Sequence, residues 1–400
     1  MVVVSTPDSV LVVGASAAGL STAEALRRQG YRGRLTILGA EEHLPYDRPP
    51  LSKQVLSGVW EPQQAQLRPR AALDALDAEL ILGDPAVGLD VAARTVRTAS
   101  GRSLRADAVV IATGLRARTL PGQDGLAGVH TLRGLDDAQS LRKDLLAASR
   151  AVVVGDGVLG SEIAATARSM GLDVTLAGPQ HAPMAMQLGP FAAELLSDLH
   201  AENGVRLRLG ASVAALETAG GRTTGVRLET GEVLPAEVVV VAFGAAPVTD
   251  WLDGSGLRLE NGVVCDACCR AADGIWAVGD VARWHHDGLG TMLRLENRTN
   301  ATEQAAAVAA NILGEDRPYV PVPYFWTDQF DAKIQVHGVL PTNAEVDIVD
   351  GATADRRFVA LYRQAGRTVG VLGWNMPKQT RLRRSELDTN AIATPTGGTS

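Results

Sequence analysis

Two stretches of the chain repeat one sequence of events: an apolar run, a glycine turn, a helical periodicity and a second apolar run. In the first, Val10 to Val13 is an unbroken apolar run of strand length that leads into Gly14-Ala15-Ser16-Ala17-Ala18-Gly19. A helical stretch continues to about Gln29, where Gly30 is placed to cap it, and a strand follows at Arg34 to Leu38. The second stretch runs from Ala151 to Val154 into Gly155-Asp156-Gly157-Val158-Leu159-Gly160. A helix to Met170 with Gly171 at its end and a strand from Val174 to Ala177 complete it. Each stretch reads as a βαβ unit, so the expected fold class is α/β with two Rossmann-like dinucleotide-binding domains.

The glycine spacing gives these turns a chemistry. A first glycine permits the tight turn, a small second residue admits a pyrophosphate, and the last lets helix and strand pack closely. The helix N-terminus then presents free N–H groups and a positive dipole end to the phosphates. The two units differ in detail. Ser16 replaces the middle glycine of the first, and Glu41 and Glu42 follow its second strand at about the distance where an acid binds a ribose hydroxyl. The second unit ends Ala177-Gly178-Pro179, with neither an acid at Gly178 nor an arginine soon after it to hold a 2′-phosphate.

Three later elements read as parts that complete a cofactor site. The apolar stretch Ala108 to Val110 runs into Ile111-Ala112-Thr113-Gly114, a strand-to-turn that brings backbone close to a ligand. Ile275 to Val278 is another apolar strand, ending in Gly279-Asp280, which presents a carboxylate. A helix is expected over Asn300 to Leu313, with Asn300 and Glu303 in capping-box relation and Gly314 at its end.

Composition narrows the partners. A formal net charge of −7 leaves no basic field for a phosphate backbone, so nucleic acid is not expected as a partner. The apolar start lacks the pattern of a secretory signal, and no run is long enough to cross a bilayer, so a cytoplasmic protein without a membrane partner is expected. Cys265, Cys268 and Cys269 are the only cysteines; one CxxC lacks the second half of a zinc site, so no metal is expected and the thiols read as ordinary buried groups. His285 and His286 read as surface loop residues. Ala391 to Ser400 is small and polar and reads as a disordered end.

The order of these motifs, with Pro45-Tyr46-Asp47-Arg48-Pro49-Pro50-Leu51-Ser52-Lys53 between the first unit and Ala112-Thr113-Gly114, resembles the FAD-dependent ferredoxin reductases. The resemblance covers roughly residues 8 to 340 and is to the putidaredoxin reductase and biphenyl dioxygenase reductase type. It implies an FAD domain at 1–114 and 245–320, an NAD(P) domain at 115–244 and a smaller C-terminal α/β domain at 321–400. The implied cofactors are FAD and NAD(P)H, with NADH favoured. The implied partner is an iron–sulfur ferredoxin of the [2Fe–2S] kind, serving a cytochrome P450 or ring-hydroxylating oxygenase, with the reductase a monomer or weak dimer.

Carried onto this chain, the resemblance implies that Ala18, Lys53, Val87, Arg133 and Asp280 contact FAD, and that Lys53 and Glu162 form a charged pair beside the flavin. Arg48, Gly244 and Asn297 join the cofactor-binding candidates. Trp326 is expected either to cover the flavin ring or to pack in the core, and Arg298 either to stabilise an anionic flavin or to point to solvent. No redox cysteine pair stands near residues 41 to 55, which sets this chain apart from disulfide reductases of similar design. From Pro321 onward, nine Lys and Arg stand against eight Asp and Glu, and Lys378, Arg381, Arg383 and Arg384 form a basic group that either steers an acidic ferredoxin or is a solvated face. The other readings left open are a flavoprotein NAD(P)H oxidase, a monodehydroascorbate-type reductase, and a non-enzymatic flavin-binding regulator resembling apoptosis-inducing factor.

Overall fold

β1 (Ser9–Val13), α1 (Ala17–Arg28) and β2 (Arg34–Leu38) form the first of the expected units, in a computed structural model that describes residues 6–387. The end at Ala391 to Ser400, expected to be disordered, lies outside the described residues. All five residues of β1 are buried, as an unbroken apolar run requires of a strand covered on both faces. It pairs in parallel with β2 on one side and with Ala108–Ile111 on the other. The full six-stranded sheet runs Arg270–Ala272, Ile275–Ala277, Ala108–Ile111, β1, β2, Glu79–Ile81. Residues from two distant parts of the sequence therefore share one sheet.

The second unit is β3 (Arg150–Val154), α2 (Val158–Ser169) and β4 (Asp173–Gly178). Its five-stranded sheet is parallel throughout, in the order Arg206–Leu209, β4, β3, Val238–Val241, Val129–Thr131. α3 (Ala185–Glu202) follows, and much later α4 (Arg298–Ile312) and β5 (Tyr324–Gln329). β5 is the edge of a five-stranded antiparallel sheet with Ala332–Gly338, Arg367–Trp374, Arg357–Gln364 and Glu345–Ala352. That sheet buries Phe358, Tyr362 and Trp374 together with Leu188, Ala192 and Leu196 of α3, so the C-terminal part completes its core with a helix of the second unit.

The glycines show why both units fold alike. A Cβ at Gly19 would lie 1.8 Å from the Gly14 carbonyl oxygen, and one at Gly160 would lie 1.7 Å from that of Gly155. Helix and turn are therefore in backbone contact, which only glycine allows. Gly157 is different: a Cβ there meets no atom of the chain within 4 Å, so packing does not demand a glycine. The same latitude accommodates Ser16 in the first unit.

Two sequence expectations are corrected. The cap of α4 is Asn297, whose side chain accepts from the Asn300 N–H at 2.8 Å, and not Asn300 itself. Asn300 is buried one turn inside, accepting from the Tyr319 hydroxyl at 3.1 Å, so no Asn300–Glu303 capping box forms. His286 is buried on a strand, its Nε2 bonded to the Pro321 carbonyl, whereas His285 is exposed and bonded to Asp287 as expected of a surface residue.

Gly160→Ala is expected to lose about 1–3 kcal/mol through overpacking, more than the roughly 1 kcal/mol that alanine's helix propensity returns. Urea unfolding checks this: the midpoint falls at unchanged slope. An unchanged midpoint contradicts the backbone contact.

Candidate functional site

Glu162 projects from the first turns of α2 and is 7% exposed at its side chain. Three donors converge on it. Lys53 Nζ lies 2.5 Å and Ser52 Oγ 2.6 Å from Oε2, and Thr327 Oγ1 donates to Oε1 at 2.8 Å. Ser52 and Lys53 end a single 3-10 turn, Pro49–Ser52, that two prolines start; Thr327 belongs to β5. Lys53 also donates to the Pro49 carbonyl at 3.0 Å, which fixes its stem. The predicted Lys53–Glu162 pair is thus formed and nearly dry, and Thr327 ties it to the C-terminal sheet.

The polar chain continues inward. Gln329 Nε2 donates to Thr327 Oγ1 at 3.0 Å, and Gln329 Oε1 meets His200 Nε2 of α3 at 2.7 Å. Burial holds the His200 imidazole below its usual range, so it stays neutral and donates through Nε2. Ser52, Thr327, Gln329 and His200 were not among the sequence candidates. Ser52 adjoins Lys53 and was within reach of sequence reasoning; the others are joined only by tertiary structure.

A second group lies where the first unit meets the strand-to-turn elements. Arg48 donates to Glu41 Oε1 at 2.7 Å and to the Arg133 carbonyl at 2.5 Å, and the Tyr46 hydroxyl donates to Glu41 Oε2. Burial raises the Glu41 carboxyl, but Arg48 and Tyr46 outweigh it and hold the group below its ordinary value. Burial also pushes the Tyr46 phenol up, to about 12. Arg133 donates to Asp280 Oδ2 at 3.3 Å, and burial raises the Asp280 carboxyl against that arginine. A Cβ at Gly114 would stand 3.2 Å from the Arg133 guanidinium and one at Gly279 would stand 2.8 Å from the Ala18 Cβ. Gly14, through its contact with the Ala112 carbonyl, closes the circle of Gly14 to Gly19, Ala112 to Gly114, Arg133 and Gly279-Asp280.

The remaining candidates divide. Arg298 does not point freely to solvent: its Nε donates to Asp47 Oδ1 at 2.7 Å, pinning the Pro45–Lys53 segment to the start of α4 beside Asn297. Trp326 is half-buried on β5, stacked on Tyr324 with ring centroids 6.0 Å apart. Val87 is 53% exposed on the strand Ala86–Asp90. Gly244 has φ +105 and accepts from the Arg118 N–H through its carbonyl, opposite the second glycine loop's strand. Val158 and Leu159 pack into neighbouring apolar clusters, while Gly178 ends β4 beside Asp156. All three cysteines are free and buried, and burial raises Cys268 to about 11 and Cys269 to about 12, so they stay protonated. No cluster of metal-ligating side chains occurs among the described residues, and no described helix is long and apolar enough to cross a membrane.

This donor set suits a flavin dinucleotide. The glycine turns could offer bare backbone to phosphates, Glu41 could offer a carboxylate to a ribose, and Asp280 could offer one to a polyol chain. Gly157 has the latitude that a bound pyrophosphate in the second unit requires.

The comparisons with known proteins agree with this geometry. The family model described as pyridine nucleotide-disulphide oxidoreductase matches residues 8–305, and that described as reductase C-terminal matches 324–396. Rhodocoxin reductase of Rhodococcus erythropolis is 36% identical over 97% of this chain and 91% of its own length. The structure of the ferredoxin reductase for the CYP199A2 system of Rhodopseudomonas palustris superposes with a TM-score of 0.91 at 35% identity, covering 94% of this chain and 93% of that one. Putidaredoxin reductase in its covalent complex with putidaredoxin matches with a TM-score of 0.89 at 32% identity, over 97% and 96% of the two chains. The chain belongs to the pyridine nucleotide-disulphide oxidoreductase family and, within it, to the ferredoxin reductases, which are oxidoreductases with FAD and NAD(H) as cofactors.

Proposed function

We propose that this chain takes reducing equivalents from NADH and delivers them to a small [2Fe–2S] ferredoxin that serves a cytochrome P450 or a ring-hydroxylating oxygenase. The observation that carries this is the Lys53–Glu162 pair, set where both nucleotide units and the C-terminal sheet meet, with no cysteine near it. FAD, when bound, supplies the conversion of a two-electron hydride into single electrons. The protein's part is placement. The loop Gly14 to Gly19 with Glu41, Arg48, Arg133 and Asp280 would hold FAD, and the loop Gly155 to Gly160 would hold the nicotinamide nucleotide. Lys53 keeps a fixed positive charge at the meeting point, and Glu162 keeps the lysine in place and offers a carboxylate to an arriving amide. Asn297 and the N-terminus of α4 add a positive dipole end.

The same reading divides the chain into 1–114 with 245–320 for FAD, 115–244 for the nicotinamide nucleotide, and 321–400 as the C-terminal domain. Sheet membership supports it: the first sheet draws strands from both FAD segments and the second only from between them. In the C-terminal domain, Arg383 is engaged by Asp350 and Glu386, which leaves Lys378, Arg381 and Arg384 as exposed cations for an acidic partner. The protein acts in the cytoplasm as a monomer or weak dimer.

Three measurements test this. Anaerobic NADH oxidation coupled to a panel of purified [2Fe–2S] ferredoxins should be fast with at least one of them. Turnover with oxygen or a small organic acceptor and none with any ferredoxin would replace the reading with that of an oxidase or monodehydroascorbate-type reductase. Glu162→Gln should retain bound FAD yet slow flavin reduction by NADH at least about tenfold, the effect of one lost charged hydrogen bond; unchanged stopped-flow rates remove Glu162 from the site. Arg381→Glu with Arg384→Glu should slow ferredoxin reduction at low salt by roughly tenfold, converging with the parent as ionic strength rises. A rate independent of salt in both proteins assigns docking elsewhere.

A further inference from the structure

The second unit has no acid at the end of β4, but its glycine loop carries one. The two units correspond residue for residue here: Val13 pairs with Leu38 just before Gly39, and Val154 pairs with Ala177 just before Gly178. In both, the second residue of the glycine loop leans over that strand-end glycine. A Cβ at Gly39 would stand 2.7 Å from the Ala15 Cβ, and one at Gly178 would stand 2.3 Å from the Asp156 carboxyl carbon. The first unit therefore puts a methyl in this space and brings its acid, Glu41, from beyond the strand. In the second unit the carboxylate comes from the loop, and the glycine at the strand end leaves room for it.

Asp156 is 4% exposed and both its oxygens are held by Gln180. The Gln180 backbone N–H donates to Oδ2 at 2.7 Å, and the side-chain amide donates to Oδ1 at 2.8 Å. The first bond fixes the carboxylate to the backbone. The second is a cover: Gln180 is half-buried, its Nε2 also donates to the Asp156 carbonyl at a long 3.5 Å, and its Oε1 accepts from the Met186 N–H at 2.8 Å. Rotation of that side chain, with loss of these two contacts, would uncover Oδ1 without moving the main chain.

We infer that Asp156 receives the adenosine ribose of the nicotinamide nucleotide in place of the acid missing at Gly178, and that it makes the site select a free 2′-hydroxyl over a 2′-phosphate. A carboxylate accepts hydrogen bonds from ribose hydroxyls, whereas a phosphate at the same place meets like charge in poorly solvated surroundings. The inference rests on reading the second unit as the nicotinamide-nucleotide domain, and it assigns NADH rather than NADPH as the reductant.

Titration calorimetry of the flavin-loaded protein with ADP-ribose and with 2′-phospho-ADP-ribose tests it without turnover. The parent should bind ADP-ribose at least about tenfold more tightly than its 2′-phosphate. Asp156→Asn, which keeps the shape, should weaken ADP-ribose about tenfold, the effect expected of a hydrogen bond to a charged acceptor, and narrow the gap to the phosphorylated fragment. Asp156→Gly with Gly178→Glu moves the carboxylate to the strand end and should restore the parent's preference, whereas Gly178→Glu alone should bind neither fragment well because its Cβ meets Asp156. An unchanged ratio of the two affinities in Asp156→Asn overturns the inference while leaving the nucleotide domain intact. Absence of binding by either fragment to the folded, flavin-loaded parent overturns the domain reading as well.

Discussion

A single buried carboxylate joins the three parts of this molecule. Glu162 stands on the second nucleotide unit, takes hydrogen bonds from Ser52 and Lys53 of the segment that follows the first, and takes a third from Thr327 of the C-terminal sheet. An ionised carboxylate removed from water costs several kcal/mol unless its oxygens are satisfied, so the three segments are held to one mutual arrangement. Residues around it extend the constraint. Thr166 of α2 donates to the Ser52 carbonyl, Arg298 ties Asp47 to α4, and Gln329 carries the chain from Thr327 to His200.

This arrangement explains how a fold named for disulfide chemistry serves a different purpose. No cysteine stands near residues 41 to 55, beside the Lys53–Glu162 pair, and the cysteines of the described residues are buried thiols kept protonated by their surroundings. With no redox thiol beside that pair, a bound flavin would have no internal thiol to reduce, which suits transfer to an external acceptor as proposed.

What was legible in the sequence was local. Both βαβ units, the helix-ending Gly30 and Gly171, and the strand that ends in Gly279-Asp280 follow from short-range pattern, because each depends on residues within one turn or strand. The cap of α4 was misplaced by one turn because Asn297 and Asn300 are equally able to cap, and only the burial of Asn300 against Tyr319 decides between them. Thr327, Gln329 and His200 left no trace, since the bonds that matter, Thr327 to Glu162 and Gln329 to His200, span long stretches of chain. The Lys53–Glu162 pair became legible only through resemblance, and the Arg298–Asp47 pair went unseen because its members lie far apart in sequence. The missing acid at Gly178 was visible in the sequence, but the Asp156 carboxylate that lies over this glycine appears only when loop and strand end are seen face to face.

The most direct test of the central claim, one chain with a flavin site and a nicotinamide-nucleotide site meeting at Glu162, is an anaerobic absorbance titration of the purified protein. The account predicts a yellow protein whose visible flavin absorbance is bleached by stoichiometric NADH. A colourless protein that takes up no FAD on reconstitution, or a flavin that neither NADH nor NADPH reduces, would contradict it.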